Sequence, residues 1–422
     1  VAEPIARSGP HPLQTRPASH SPFVALQHRD FRIYWFGQFI STCGSTMQIA
    51  GVGWQVYLLS HSAIALGALG LVRVLPLLVF SLGGGVFADT FSRRHLMLVT
   101  QSALLLTSLG LALTTLGGTA TLWVVYALTA AGTSALAFDQ PARQALVPSL
   151  VPREHLTNAM SINSTAWQTA NVIGPGLAGV IIAASSVATV YVFDAVSFLA
   201  VLAALLVINP PPTAGAEPRI SIHAAVDGLR FVFRTPILRS TMLLDFVATF
   251  FGSAVILLPI FARDILHVGA VGYGVLFAAD SLGAIVAGVV MTLFGGRIRR
   301  QGLVIISAVM AYSACTVLFG LSHVYALSIL ALAGVGASDT VSMILRQTVR
   351  QMVTPDALRG RMTSVQMVFF MGGPQLGNLE AGVVARVAGA PISVVTGGLA
   401  ALAATALIAY RGVSLRRYER TP

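Results

Sequence analysis

Twelve times along its 422 residues this chain runs for about twenty mostly apolar residues between short polar breaks. A run of that length has few ways to fold. Roughly 30 Å of hydrocarbon offers the backbone no water, so each segment must satisfy its own N–H and C=O groups, and a helix of about 20 residues does so. The runs fall at about 31–59, 64–88, 95–116, 121–144, 158–184 and 187–208, then at about 240–262, 270–293, 302–321, 325–347, 363–388 and 390–410. The expected fold class is therefore all-α integral membrane, with twelve transmembrane helices. Composition agrees: only 10% of residues are charged, against roughly a quarter in a soluble protein. A water-soluble globule could not cover such a surface.

The 26 basic residues are all arginine and outnumber the 15 acids. Such an excess suggests nucleic acid in a soluble chain, but here the cations sit in the breaks, where they mark topology. The expected partners are the lipid bilayer and a small-molecule substrate, with no nucleic acid. With the N-terminus inside, the even-numbered breaks hold Arg93 and Arg94; Arg143 and Arg153; Arg219, Arg230, Arg234 and Arg239; Arg297, Arg299 and Arg300; and Arg346, Arg350, Arg359 and Arg361. Only Arg263 and Arg386 fall outside, and Arg73 lies within a span. The bias places both termini in the cytoplasm of a multi-pass protein of the plasma (inner) membrane.

Five segments follow: a flexible tail at 1–28, a six-helix bundle at 29–208, a cytoplasmic linker at 209–239, a second bundle at 240–410 and a basic tail at 411–422. The linker opens at Pro210 and turns amphipathic around Ile222, Val226, Leu229 and Phe233, as in a segment lying on the membrane surface. Shifting the chain by 203 residues lays Gly85 on Gly288, Arg94 on Arg297, Arg143 on Arg346, Gln144 on Gln347 and Pro152 on Pro355. Two six-helix pseudo-repeats suit alternating access, in which one bundle rocks against the other about a midplane site. A monomer is the expected working unit.

Between spans two and three, Gly85-Val-Phe-Ala-Asp89-Thr90-Phe-Ser92-Arg93-Arg94 resembles the signature loop of the major facilitator superfamily, with Thr90 and Ser92 departing from the usual arginine and glycine. In span five, Gly174-Pro175-Gly176 with Gly179 resembles the glycine-proline motif of that superfamily's exporters, although Ala170 and Ala178 depart from its fuller glycine pattern. Arg29-Asp-Phe31-Arg32, Trp35-Phe-Gly37-Gln38, Pro141-Ala-Arg143 and Leu358-Arg359-Gly360-Arg361 are similar to the branch holding bacterial enterobactin exporters and macrolide efflux pumps. The resemblance implies the major facilitator fold and efflux of a drug or siderophore. It also implies a gating group of Gly85, Asp89, Arg93, Arg94, Asp139 and Arg143, in which Asp139 ties down the arginine loop, and a helix bend at Gly174, Pro175 and Gly179.

An ionisable side chain at the bilayer centre costs at least about 2.5–3.5 kcal/mol, so each one needs a partner, a cavity or a role. Desolvation disfavours the charged form of a carboxyl group, which suits an acid in a span to proton exchange. Asp280, Glu380 and Asp339, in that order, are the candidates for proton coupling; Asp194 and Asp245 fall too near span ends to rank. Arg73 either neutralises an acid across the interface, pairs structurally or binds an anionic cargo. Gln38, Gln48 and Gln55 recur along span one in a pattern compatible with a cavity-facing stripe, and Asn163 and Asn171 follow in span five. The alternative for the amides is hydrogen bonding between helices.

No GxxxxGK[ST] loop is present, so a proton gradient rather than ATP is the expected energy source, with no cofactor. Cys43 and Cys315 have no metal-ligand spacing, and no HExxH or GxSxG motif points to an enzyme. The reading is a proton-coupled exporter of amphipathic small molecules. An importer or lysolipid flippase on the same fold is the alternative, and a scaffold or receptor is the reading from a different class.

Overall fold

The computed structural model describes residues 23–90, 92–208, 230–252, 255–355 and 359–419, apart from the side chains of 81–90, 93, 145, 359–361, 363–365 and 367–371. The tail at 1–22, the linker at 209–229, the end at 420–422, Gly85 and the side chains of Asp89 and Arg93 thus lie outside the described residues. Among the described residues there is no strand.

The first half contains α1 (Arg29–Ser60), α2 (Ala63–Thr90), α3 (Arg93–Leu116), α4 (Leu122–Leu146), α5 (Leu156–Ala184) and α6 (Val187–Val207). The second contains α7 (Pro236–Phe251), α8 (Gly269–Phe294), α9 (Gln301–Leu321), α10 (Tyr325–Val353), α11 (Arg359–Ala388) and α12 (Ala390–Arg411). The repeat is geometric as well as sequential. Helices α4 and α10, α5 and α11, and α6 and α12 each begin 203 residues apart, as in 325 − 122.

Short connections are sealed locally. Ser92, Thr121 and Ser186 cap α3, α4 and α6 by accepting from the backbone N–H three residues on. His61 turns the chain from α1 to α2 in the left-handed region at φ 47°. The span expected at 240–262 is broken: α7 ends at Phe251, and a π-helical turn at Phe261–Ile265 completes the crossing. The carbonyl of Gly252 freed at that break accepts the Tyr312 hydroxyl at 3.0 Å.

Nine spans among the described residues are long and apolar enough to cross a membrane on composition alone. Helices α1, α5 and α11 fall short because polar residues dilute them, such as Gln48 and Gln55, Gln168 and Asn171, and Asn378 and Glu380. Large apolar side chains cover the outside, with Leu106 64%, Leu113 60% and Leu330 69% exposed. A soluble surface rarely carries so much contiguous apolar area.

Both described ends of the chain lie on one face. Ala25 N–H donates to Asn158 Oδ1 at the start of α5 at 3.0 Å, and the short terminal helix Val413–Arg416 sets Leu415 against Gly302 at the start of α9. The two halves meet on the opposite face. A Cβ on Gly67 of α2 would stand 2.9 Å from the Cα of Gly382 on α11, and one on Gly179 of α5 would stand 2.9 Å from the Cα of Gly274 on α8. The two contacts are pseudo-symmetric, because Gly382 is Gly179 shifted by 203 (382 − 179). In lipid no hydrophobic force drives helices together, so close backbone approach through small residues supplies the packing.

Toward the termini the same face of α5 is free. Thr157 and Ser161 lie eighteen residues (175 − 157, 179 − 161), or about five turns, before Pro175 and Gly179 and therefore share their direction. They are exposed and border an open groove of about 660 Å³ with Met160 and Ser164. Among the described residues the halves meet away from the termini and leave α5 open toward them.

A leucine at Gly179 is expected to hold the closed face apart. With Cys43 and Cys315 replaced by Ser and a reporter cysteine at Phe277, a membrane-impermeant maleimide should label Gly179→Leu several-fold faster than the parent from the face opposite the termini.

Candidate functional site

Between the halves lies a cavity of about 280 Å³, lined from α2 by Leu69 and Arg73, from α8 by Tyr273, Phe277 and Asp280, from α10 by Leu332 and Asp339, and from α11 by Pro374 and Asn378. Three of the charged residues singled out from the sequence thus share one chamber. Arg73 has the phenols of Tyr191 and Tyr273 within electrostatic reach and makes no hydrogen bond or ion pair among the described residues. Asp280 lies within electrostatic reach of Asp339 and likewise has no hydrogen-bond or ionic partner there. Its Oδ1 sits where α8 and α10 come close, 2.9 Å from the place a Cβ on Gly336 would occupy.

Asp339 is 42% exposed to the cavity and lies 3.4 Å from Arg346. Arg346 also reaches Asp245 Oδ1 at 3.1 Å, while Arg350 holds Asp245 Oδ2 at 2.9 Å. This corrects the assignment of Arg346 and Arg350 to a cytoplasmic connection. Helix α10 continues to Val353, and both guanidinium groups are only 2% exposed because Asp245 of α7 neutralises them inside the bundle. Asp245, unranked by depth, is the hub of that network.

The first half carries its own buried acids. Asp139 accepts from Thr100 and Gln101 on Oδ1, at 2.8 and 2.9 Å, and from Arg143 on Oδ2. Arg94 is not among its described partners. Arg94 instead donates to the carbonyls of Leu205 and Leu206 at 2.6 and 2.7 Å. There its charge meets the negative end of the α6 dipole. Asp194 is fully buried and accepts from Ser108 at 2.6 Å, which in turn accepts from Gln48 at 2.7 Å.

The amide stripe expected along the cavity faces elsewhere. Gln48 and Gln55 donate to Ser108 and Thr115 of α3, Gln55 also accepts from Tyr191, and Gln38 bonds Thr42 one turn on. Buried amides find fuller hydrogen bonding between helices than beside an apolar chamber, and Ile49 and Gly53 are what α1 presents to the cavity. Asn171 donates to the Trp167 carbonyl, and neither it nor Asn163 lines the chamber. Glu380 lies beyond the lining residue Asn378, toward the closed face, and is not among the lining residues. Gly174 packs against Thr46 of α1, and Pro175 directs its carbonyl at Gly274, so the bend motif serves the contact between halves.

Trp54 and Tyr57 of α1 form a lock between the halves that the sequence does not reveal. Trp54 stacks on Tyr273 with centroids 5.1 Å apart, Tyr273 donates to the Ala50 carbonyl at 3.0 Å, and Tyr57 donates to Asp264 of the other half. No local signal marks Tyr273 or Asp264, since their partners lie more than 200 residues away.

Two pseudo-symmetric six-helix halves around a charged central chamber define a transporter of the major facilitator type. A family model described as transmembrane secretion effector matches residues 20–421, and the chain belongs to that family. It is 29% identical over 353 residues to the enterobactin exporter EntS of Citrobacter koseri, covering 83% of this chain and 84% of that one. It is 27% identical over 398 residues to EntS of Escherichia coli O1:K1, covering 94% of each. Among solved structures, a bacterial homolog of the human lysosomal transporter Spinster, inward-facing and unoccupied, matches with TM-score 0.73 at 14% identity over 93% of this chain and 98% of its own. A bacterial homologue of the iron transporter ferroportin, inward-facing, matches with TM-score 0.69 at 15% identity over 92% of this chain and 99% of its own. The protein is a membrane-embedded exporter of a small molecule and not an enzyme.

Removing the hub should be costly. Asp245→Asn deprives Arg350 of its carboxylate while leaving it buried, a class of change that costs about 3–5 kcal/mol. The expected result is a clear drop in the melting temperature of the purified protein in detergent.

Proposed function

We propose that this protein exports amphipathic small molecules in exchange for protons, by alternating access, from a cytoplasm that holds both termini. The membrane is the plasma (inner) membrane, and a single chain is the working unit. The observation that carries the coupling is Asp280, a carboxylate in the central chamber with no cation of its own among the described residues. The EntS relatives are named as exporters of enterobactin, which supports a drug-like or siderophore-like cargo.

In the form described here the chamber receives cargo from the terminal face. Export then needs the opposite face to part: Tyr57 leaves Asp264, Tyr273 leaves Ala50, and the two glycine contacts slide open. The parting exposes Asp280 to the acidic side. A protonated Asp280 is neutral, so the emptied halves return with one fewer unpaired charge to carry through a dry constriction. Asp339, tied to Arg346, is the route by which a change in the chamber reaches the buried network at the terminal end of the second half. Glu380, nearer the closed face, is the second candidate for the proton.

The test is proton-gradient-dependent uptake of a fluorescent drug panel and a catecholate siderophore into inverted vesicles. Wild type should accumulate at least one of these only with the gradient. Asp280→Asn should lower gradient-driven uptake by at least about tenfold, the scale of one lost charge-assisted interaction, and Glu380→Gln should lower it less. Uptake indifferent to the gradient and to both variants would contradict the coupling and return the acids to structural roles.

A further inference from the structure

Arg73 and Asp280 stand on opposite halves of the transporter, line the same chamber, carry opposite charges and do not pair with each other or with any other described group. The remaining charge in the chamber, Asp339, is already held by Arg346. While the chamber is open to the terminal face, water can solvate both free charges. Once the halves close around a cargo the water leaves, and each charge then needs a partner from the cargo.

A purely anionic cargo would satisfy Arg73 but bring nothing to Asp280 that displaces its proton, so it could not be exchanged for that proton. A purely cationic one would strand Arg73, and a neutral one would strand Arg73 and leave the proton on Asp280. We infer that the cargo is dipolar, with an acidic group such as a carboxylate bound at Arg73 and a protonated amine bound at Asp280, joined by an apolar body. This rests on the exporter reading and names the chemical class of what is exported.

Guanidinium geometry favours a carboxylate held through two N–H groups, which fixes orientation as well as charge. Leu69, Phe277 and Leu332 supply apolar walls between the two poles. At about 280 Å³ the chamber sits at the small end of ligand sites. Because the two binding charges belong to different halves, a bridging dipole draws the halves together, and occlusion follows from occupancy. A proton from outside competes with the ammonium for the same carboxylate, which links cargo release to proton uptake.

Four probes on one scaffold separate the possibilities: 4-butylphenylalanine (dipolar), its N-acetyl derivative (anionic), its amide (cationic) and the N-acetyl amide (neutral). Binding is read as thermal stabilisation of the purified full-length protein in detergent, and transport as gradient-driven uptake into inverted vesicles. Wild type should bind the dipolar probe at least about tenfold more tightly than any other, the scale of one charge-assisted contact. Arg73→Gln should abolish the advantage over the cationic probe while still binding that probe, which shows the variant is folded. Arg73→Lys should keep part of the advantage, and Asp280→Asn should abolish the advantage over the anionic probe. Binding of all four within about threefold, tighter binding of a singly charged or neutral probe, or binding of none overturns the dipolar site. If transport stays gradient-driven in those cases, the exporter reading survives. A dipolar preference in binding without gradient-driven uptake of the same probe upholds the site and overturns the exporter reading.

Discussion

A bilayer interior offers a polypeptide no hydrogen-bond partner, and every feature of this transporter answers to that constraint. Backbone groups are satisfied inside helices, so the spans are helical and no strand occurs among the described residues. Where α7 breaks, a tyrosine hydroxyl from α9 takes up the freed carbonyl. Charges follow the same rule: Asp139 with Arg143, and Asp245 with Arg346 and Arg350, are paired and hydrogen-bonded inside their own halves. Against that background of compensation, Arg73 and Asp280, which share the chamber and have no partner among the described residues, mark the place where the molecule handles something other than itself.

The halves differ in how they are held internally and how they are held to each other. Within a half, buried polar networks and close helix packing make a rigid body. Between halves, the described contacts on the face away from the termini are glycine-on-glycine approaches, an apolar cluster with the Trp54–Tyr273 stack, and two hydroxyl bonds. Tyr273 belongs to both systems, since it lines the chamber and bonds across the closed face, so a ligand that moves its ring acts on the closure directly.

Much of this architecture was legible in the sequence because membrane crossing is a local property. The run expected at 158–184 is α5 at 156–184, and the shift of 203 residues that aligns a few arginines and prolines also sets the starts of three helix pairs. Arg73, Asp280 and Asp339 stood out through the cost of placing charge in lipid, and they share the chamber. Arg346 and Arg350 were misplaced because an arginine near the end of an apolar run looks the same whether it meets headgroups or a buried Asp245 two helices away. The spacing of Gln38, Gln48 and Gln55 shows a shared tendency of one face but not which neighbour that face meets: α3 took Gln48 and Gln55, and Gln38 bonds within α1. The lock of Trp54 and Tyr57 on the second half depends on how two bundles dock, which no local pattern encodes.

The central claim is that two rigid halves exchange closure between opposite faces around the shared chamber. It is tested most directly by spin-label distances in a variant lacking Cys43 and Cys315, with one pair at Ser185 and His267 on the closed face and another at Thr157 and Arg299 on the terminal face. On addition of a transported probe the account predicts that the first distance lengthens as the second shortens. Distances that change in the same sense, or that stay fixed while transport proceeds, would contradict it.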